Sequence, residues 1–331
     1  FRSQALLPGN YNDPTGQADL LDVSVLTEAA REFVSTKLCV QTQTIEAFVQ
    51  TVLPRFFNDE GPIDVTRYPF LIEELANHPS LLNDENIMRT LGSLSIIPTQ
   101  DGGWSIPAKT YRRTEGLVKV LGDDLHLWLD TSRLPRIRSV YSFIDSIGIC
   151  REPIARHLVD RMLFIAEKYL PTEDARRASG DAFYVLCDYY EERNDDPSYQ
   201  NAIDDLRDVD CFPAVGDREQ WYSADSLYAP YRAEGFESQA YILDFRNIVR
   251  LNRELIEGLG VTINPETKLV IDHLLYCAEN GVQPHVSTYQ VLNERAQKDD
   301  PLIAQLIGSR CVYVESQKIF VRPNQLYWTT L

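Results

Sequence analysis

An aromatic residue followed seven positions later by a tyrosine occurs three times in this chain, as Trp104–Tyr111, Trp221–Tyr228 and Phe320–Tyr327. Each pair trails a short apolar stretch and a turn. In the first copy Leu94-Ser95-Ile96-Ile97-Pro98-Thr99 leads into Gln100-Asp101-Gly102-Gly103 and then Trp104-Ser105-Ile106-Pro107. An Asp-Gly turn between apolar and aromatic residues predicts a β-hairpin, because the turn needs positive φ angles. The middle version runs from Asp210-Cys211-Phe212-Pro213 through Gly216-Asp217 to Gln220-Trp221-Tyr222, and the last from Cys311-Val312-Tyr313-Val314 to Ile319-Phe320-Val321.

The copies overlay along the chain. A shift of 216 positions carries Asp84 to Asp300, Gly92 to Gly308, Trp104 to Phe320, Pro107 to Pro323 and Tyr111 to Tyr327, while a shift of 117 carries Trp104 to Trp221 and Tyr111 to Tyr228. The helical stretches repeat independently. A shift of 112 takes Gly148 to Gly260, Pro153 to Pro265 and Asp160 to Asp272. In both cases glycine closes one helix and proline opens the next, as helix-end chemistry favours. Two registers agreeing on one period predict an α+β chain, mostly helical, built from three diverged repeats of a helical pair plus a small hairpin. The expected organisation is an irregular lead-in over 1–19 and units over 20–128, 129–240 and 241–331. A two-stranded hairpin is not stable alone. Trp104, Trp221 and Phe320 are therefore expected as pegs docking each hairpin on its helices, with Tyr111, Tyr228 and Tyr327 anchoring the exit.

Apolar periodicity places helices over 44–57, 154–170, 174–192, 267–280 and 288–298. No uncharged apolar run approaches the roughly 18–20 residues that span a bilayer, so no membrane partner is expected. The six cysteines are scattered, without a Cys-x-x-Cys pair or a zinc spacing. They read as buried free thiols, and so as a mark of a reducing, cytoplasmic setting. A chain that opens on Phe1 reads as a piece of something longer.

Chemistry is harder to find. The net charge of -17 disfavours nucleic acid as a partner, since a phosphate backbone needs a basic surface. A local exception would use Arg133, Arg136, Arg138, Arg151 and Arg156. There is no phosphate-binding glycine loop, no nucleophile elbow and no calcium loop, and no cofactor is expected. Gly258-Leu259-Gly260 reads as a helix end. His273 follows Asp272 on a helix, where adjacent side chains diverge, so the two form no dyad. The densest acidic stretch includes Asp188, Glu191, Glu192, Asp195, Asp196, Asp204, Asp205, Asp208 and Asp210. It is either a solvated face or the metal site of a hydrolase.

The phrase from Leu94 to Pro107, closed by Tyr111, resembles a pattern in the very large proteins related to sacsin and to the plant NO VEIN protein. That resemblance implies a scaffold or partner-engaging segment of a polypeptide whose histidine-kinase-type ATPase domain lies elsewhere, with a chaperone-like or defence role. Glu73-x-x-x-Asn77 matches the spacing of one ATP-site motif of that fold, but the Asp-x-Gly-x-Gly motif is absent, so no ATP-binding residue carries over. The favoured expectation is a non-catalytic repeat segment that binds a protein partner or other domains of the same polypeptide. A metal-dependent hydrolase and a nucleic-acid module are the competing readings.

Overall fold

The computed structural model describes residues 5–326 apart from 10, 12, 23, 25, 246, 247 and 297–300. It is mostly helical, with small antiparallel strand pairs. The chain divides into two compact units. The first comprises 1–118 and 123–153, and the second 119–122 and 154–331.

In the first unit the apolar period at 44–57 produces a helical run over 45–56, with Phe48, Val49, Val52, Leu53 and Phe56 buried. Its middle widens to a π-turn, in which the Leu53 amide donates to the Phe48 carbonyl. Pro54, which has no N–H to give the ladder, sits in the turn that follows. Phe57 leaves the helix in extended conformation and opens a hairpin with Gly61–Pro62 that the sequence reading did not anticipate. Helices Tyr68–Ala76, Glu85–Ser93 and Arg138–Ser146 complete this unit's core. In the second unit the predicted helices appear as Ala155–Lys168, Glu173–Arg193, Thr267–Asn280 and Val286–Ala296.

Each expected hairpin forms an antiparallel pairing. Ile97 pairs with Ser105 and Pro98 with Trp104, Phe212 bridges Tyr222, and Val312–Val314 pairs with Ile319–Val321. The first two are the edges of a larger frame. Around Tyr111, its own amide donates to the Leu127 carbonyl and its carbonyl accepts from Leu129, both at or near 2.8–2.9 Å. Cys150 donates to Thr110, Gln100 to Trp128 and Asp130 to Pro98. Around Tyr228 the same five bonds recur: Tyr228 to Tyr241, Leu243 to Tyr228, Thr262 to Leu227, Val215 to Ile242 and Asp244 to Pro213. In both frames the tyrosine backbone forms parallel bridges on two sides, to Trp128 and Cys150 in one and to Ile242 and Thr262 in the other.

These bonds tie 127–150 into the first compact unit, whose last residue is Pro153. The segment ending at Cys150 returns to Thr110, so the first compact unit takes in the start of what the sequence period assigns to the second repeat. The third hairpin departs from the ungapped overlay. A shift of 216 would set Val314 opposite Phe320, yet Tyr313 lies there, because four residues rather than five connect the strands. Lys318 takes the positive φ of +52° in that tighter turn. Tyr327 lies outside the described residues, so the frame is described for two copies.

Candidate functional site

The three aromatic pegs meet different neighbours, each within its own unit. Trp104 lies edge-on to Tyr68 at 4.5 Å, and the Arg133 guanidinium stacks 4.2 Å over its other side. Gly61, at φ +106°, lets the indole rest on bare backbone, since a Cβ there would sit 2.2 Å from the ring. Trp221 packs against Ile165 and Ala175, and its indole N–H donates to the Tyr169 carbonyl at 2.7 Å. Phe320 lies 5.2 Å from Tyr313 on the C-terminal core. Tyr111 is fully buried, and Tyr228 is half-buried against Phe236 at 5.6 Å. What these two tyrosines contribute alike is backbone pairing on two sides.

Of the candidate nucleic-acid arginines, Arg133, Arg136, Arg138 and Arg151 belong to the first unit and Arg156 to the second. Arg133 donates to the carbonyls of Gly102 and Gly103 at 3.0 and 2.9 Å, fastening the hairpin turn. Arg156, in the second unit, is paired with Asp160 and Asp205. Several carboxylates of the acidic stretch are engaged in ion pairs or a helix cap. Asp188 pairs with Arg250, Asp204 with Arg207 and Asp205 with Arg156, while Asp196 caps the helix Pro197–Asp204 by accepting from the Ser198 amide. Among the described residues no group of three or more His, Cys, Asp or Glu side chains is placed to hold a metal ion.

His273 does find partners, though not Asp272. Its Nδ1 lies 2.7 Å from the Ser238 hydroxyl, and its Nε2 lies 3.6 Å from Cys277 Sγ, one helical turn on. Burial lowers the imidazole's pKa and raises the thiol's. Both shifts favour the neutral forms, so the thiolate a nucleophile requires is disfavoured. This trio therefore reads as a satisfied polar contact inside the core. All six cysteines are free, with Cys187, Cys211, Cys277 and Cys311 buried. Cys39 and Cys150 depart from the expectation: Cys39 is exposed, with φ +52° just past a helix end, and Cys150 is partly exposed.

The site that the sequence reading missed lies in the second unit, over one face of the helix Glu173–Arg193. A cavity of about 240 Å³ is lined by Arg176, Arg177, Asp181 and Tyr184 of that helix, together with Lys119, Asp244 and Arg250. Positions 176, 177, 180, 181 and 184 fall on one helical face, and Gly180 keeps that face open. A Cβ at Gly180 would meet Phe245 at 3.2 Å. Phe245 in turn stacks on Phe183 at 4.9 Å, so the core beneath this stretch of helix is aromatic. Arg176, only 13% exposed, is held by Asp244, and Lys119 meets Asp181 at 3.2 Å. Arg250 lies 5.0 Å over the Tyr184 ring. The sequence offered one clue, a glycine inside a helical period, where it costs about 1 kcal/mol relative to alanine. The cations themselves come from separate segments and share no motif.

No family model, curated protein or solved structure matches the chain. Among the described residues, no helix is long and apolar enough to cross a membrane.

Proposed function

We propose that this chain is a non-catalytic scaffold segment that engages a protein partner or other domains of a longer, ATPase-bearing polypeptide. The observation that carries this reading is the duplicated frame. Five backbone hydrogen bonds recur around Tyr111 and Tyr228 while the side chains at matching places change, from Thr99 to Ala214, Trp128 to Ile242 and Cys150 to Thr262. An architecture kept through its backbone, with its side chains replaced, is what a load-transmitting or docking module needs. An active site would tie function to particular side chains. The tie to an ATPase rests on the Leu94–Tyr111 resemblance alone.

The test has two arms. The purified chain is assayed for ATPase, phosphatase and nuclease turnover with divalent metals, beside a variant carrying alanine at Asp188, Asp204, Asp205, Asp208 and Asp210. No turnover is expected from either protein. Turnover by the parent chain that the folded variant loses would replace the scaffold with a hydrolase. In the second arm, cross-linking with mass spectrometry in the native cell is expected to join both frames to one polypeptide that carries an Asp-x-Gly-x-Gly motif. Cross-links confined to nucleic-acid-binding proteins would refute that attachment.

A further inference from the structure

The cavity over the helix Glu173–Arg193 carries a charge opposite to that of the chain around it. Its wall presents four cationic side chains, Lys119, Arg176, Arg177 and Arg250, against two carboxylates, Asp181 and Asp244, in a protein of net charge -17. Two further carboxylates, Asp174 and Asp188, hold Arg177 and Arg250 from outside the wall, and both are largely exposed. Exposed pairs of that kind contribute only about 0–1 kcal/mol, so an entering anion displaces them at little cost.

Arg176 is different. Its guanidinium is nearly buried and meets Asp244 through one nitrogen, Nη1, which leaves further N–H donors of a planar fork. A largely desolvated arginine fork, flanked by the more exposed cations Lys119, Arg177 and Arg250, suits a tetrahedral oxyanion that accepts several charge-assisted hydrogen bonds. Displacing the two outer carboxylates, Asp174 and Asp188, leaves two positive charges in excess on the wall, which matches a dianion. The volume of about 240 Å³ is below the roughly 300–1,000 Å³ typical of clefts for drug-sized ligands, which favours a compact head group.

We propose that this cavity binds a phosphoryl dianion, with Arg176 as the buried anchor and Lys119, Arg177 and Arg250 closing over it. The phosphoryl group is either that of a free small phosphate or that of a phosphorylated side chain on a partner protein. Lys119 keeps Asp181 through one N–H and offers the ligand another, while Arg250 exchanges Asp188 for the ligand.

Isothermal titration of the full chain at low salt tests this with three probes: inorganic phosphate, a phosphoserine peptide and the same peptide unphosphorylated. Saturable binding of inorganic phosphate and of the phosphopeptide with similar strength identifies a free small phosphate. Saturation by the phosphopeptide alone, or far more tightly, identifies a modified partner; the unphosphorylated peptide stays silent in both cases. The paired change Lys119→Ala with Arg177→Ala removes two exposed cations without opening the core, and is expected to weaken binding at least about tenfold. Arg250→Ala, made separately, is expected to weaken it about tenfold. Arg207→Ala, outside the cavity, leaves it unchanged. The proposal is overturned if neither phosphorylated probe saturates, if the unphosphorylated peptide binds equally, or if the cavity variants bind like the parent while their circular dichroism is unaltered.

Discussion

Replacing Gly148 and Gly260 by alanine, one at a time, tests whether the two frames are the same object. Both glycines end a helix, Arg138–Ser146 and Arg253–Gly258, and both hold nearly the same backbone angle, φ +103° and +107°. After Gly260 the helix end closes with two bonds, Gly260 donating to Glu257 and Val261 to Ile256, the pattern that a left-handed residue at this place permits. Steric crowding is not the issue. A Cβ at Gly148 meets nothing within 4 Å, and one at Gly260 comes no nearer than 3.4 Å to Asp225. What remains is backbone strain, about 1–3 kcal/mol for a non-glycine residue in such a region. It is offset by about 0.4–1 kcal/mol because alanine has less freedom to lose from the unfolded chain. Each substitution should therefore destabilise its frame by about 1–2 kcal/mol. Gly92, inside the helix Glu85–Ser93 with open space around it, is the control, and alanine there should stabilise by about 0.5–1 kcal/mol. The two frames lie in different compact units, so the assay that separates them is site-resolved native-state hydrogen exchange. In Gly148→Ala the Cys150 amide should exchange about 5–30 times faster while the Thr262 amide keeps its rate, and Gly260→Ala should reverse that pattern. If both amides respond alike, or if either change stabilises as Gly92→Ala does, the frames are not the independent, glycine-closed units described here.

Trp221→Phe keeps the peg's ring but removes the N–H that meets Tyr169, so urea denaturation should show a loss of about 1–2 kcal/mol; an unchanged midpoint would mean that the bond contributes nothing net. Burial pushes the Cys187 and Cys211 thiols up to about 12 from an ordinary 9.0, so the unfolded chain releases these protons first. Their contribution is complete below pH 9 and is lost as pH rises from there through about 12, and the urea midpoint should fall across that window. Alanine at both positions should flatten the fall, and a profile that stays steep would assign it to the buried tyrosines Tyr68 and Tyr199, whose hydroxyls are also raised by burial. With a thiol alkylating reagent at neutral pH, Cys39 should label first and Cys187 and Cys211 only after unfolding; early labelling of either buried thiol would contradict its placement.

Local order was readable in the sequence where one side-chain property repeats at the element's own period. The helix Thr267–Asn280 has the bounds that its apolar spacing predicts, and the first hairpin turns where Asp101-Gly102 demands it. There the Asp101 carboxylate accepts from Thr99 Oγ1 and the Gly103 amide at 2.6 and 2.9 Å, which locks the turn. The run at 44–57 was legible as a helix but not as one with a π-turn, because the widening answers Pro54 and leaves the apolar spacing almost unchanged. The bridges from Tyr111 to Trp128 and Cys150 were not legible at all. They are single backbone pairings between distant segments, and a lone bridge imposes no alternation on its neighbours. The cavity was hidden for a related reason. Lys119, Arg176 and Arg250 meet only in the folded second unit, and in sequence each has acidic neighbours that read as ordinary surface pairing.

Matching positions of the two frames put the same residue type to different uses. Pro98 and Pro213, Leu129 and Leu243, Asp130 and Asp244, and Gly148 and Gly260 all occupy matching places. The prolines and glycines are residues whose chemistry fixes the backbone itself. The aspartates hold the same backbone bond, each amide donating to the proline carbonyl, yet their side chains differ in use. Asp130 accepts from the Ser132 amide at 2.9 Å and caps the short turn Thr131–Arg133. Asp244 instead faces into the cavity and holds Arg176. A side chain that completes local structure at one frame thus positions a buried cation at the other, on the same backbone bond. Because the frame rests on main-chain bonds and on residues that shape them, the side chains around it can differ, and a cavity beside one frame need not have a counterpart beside the other.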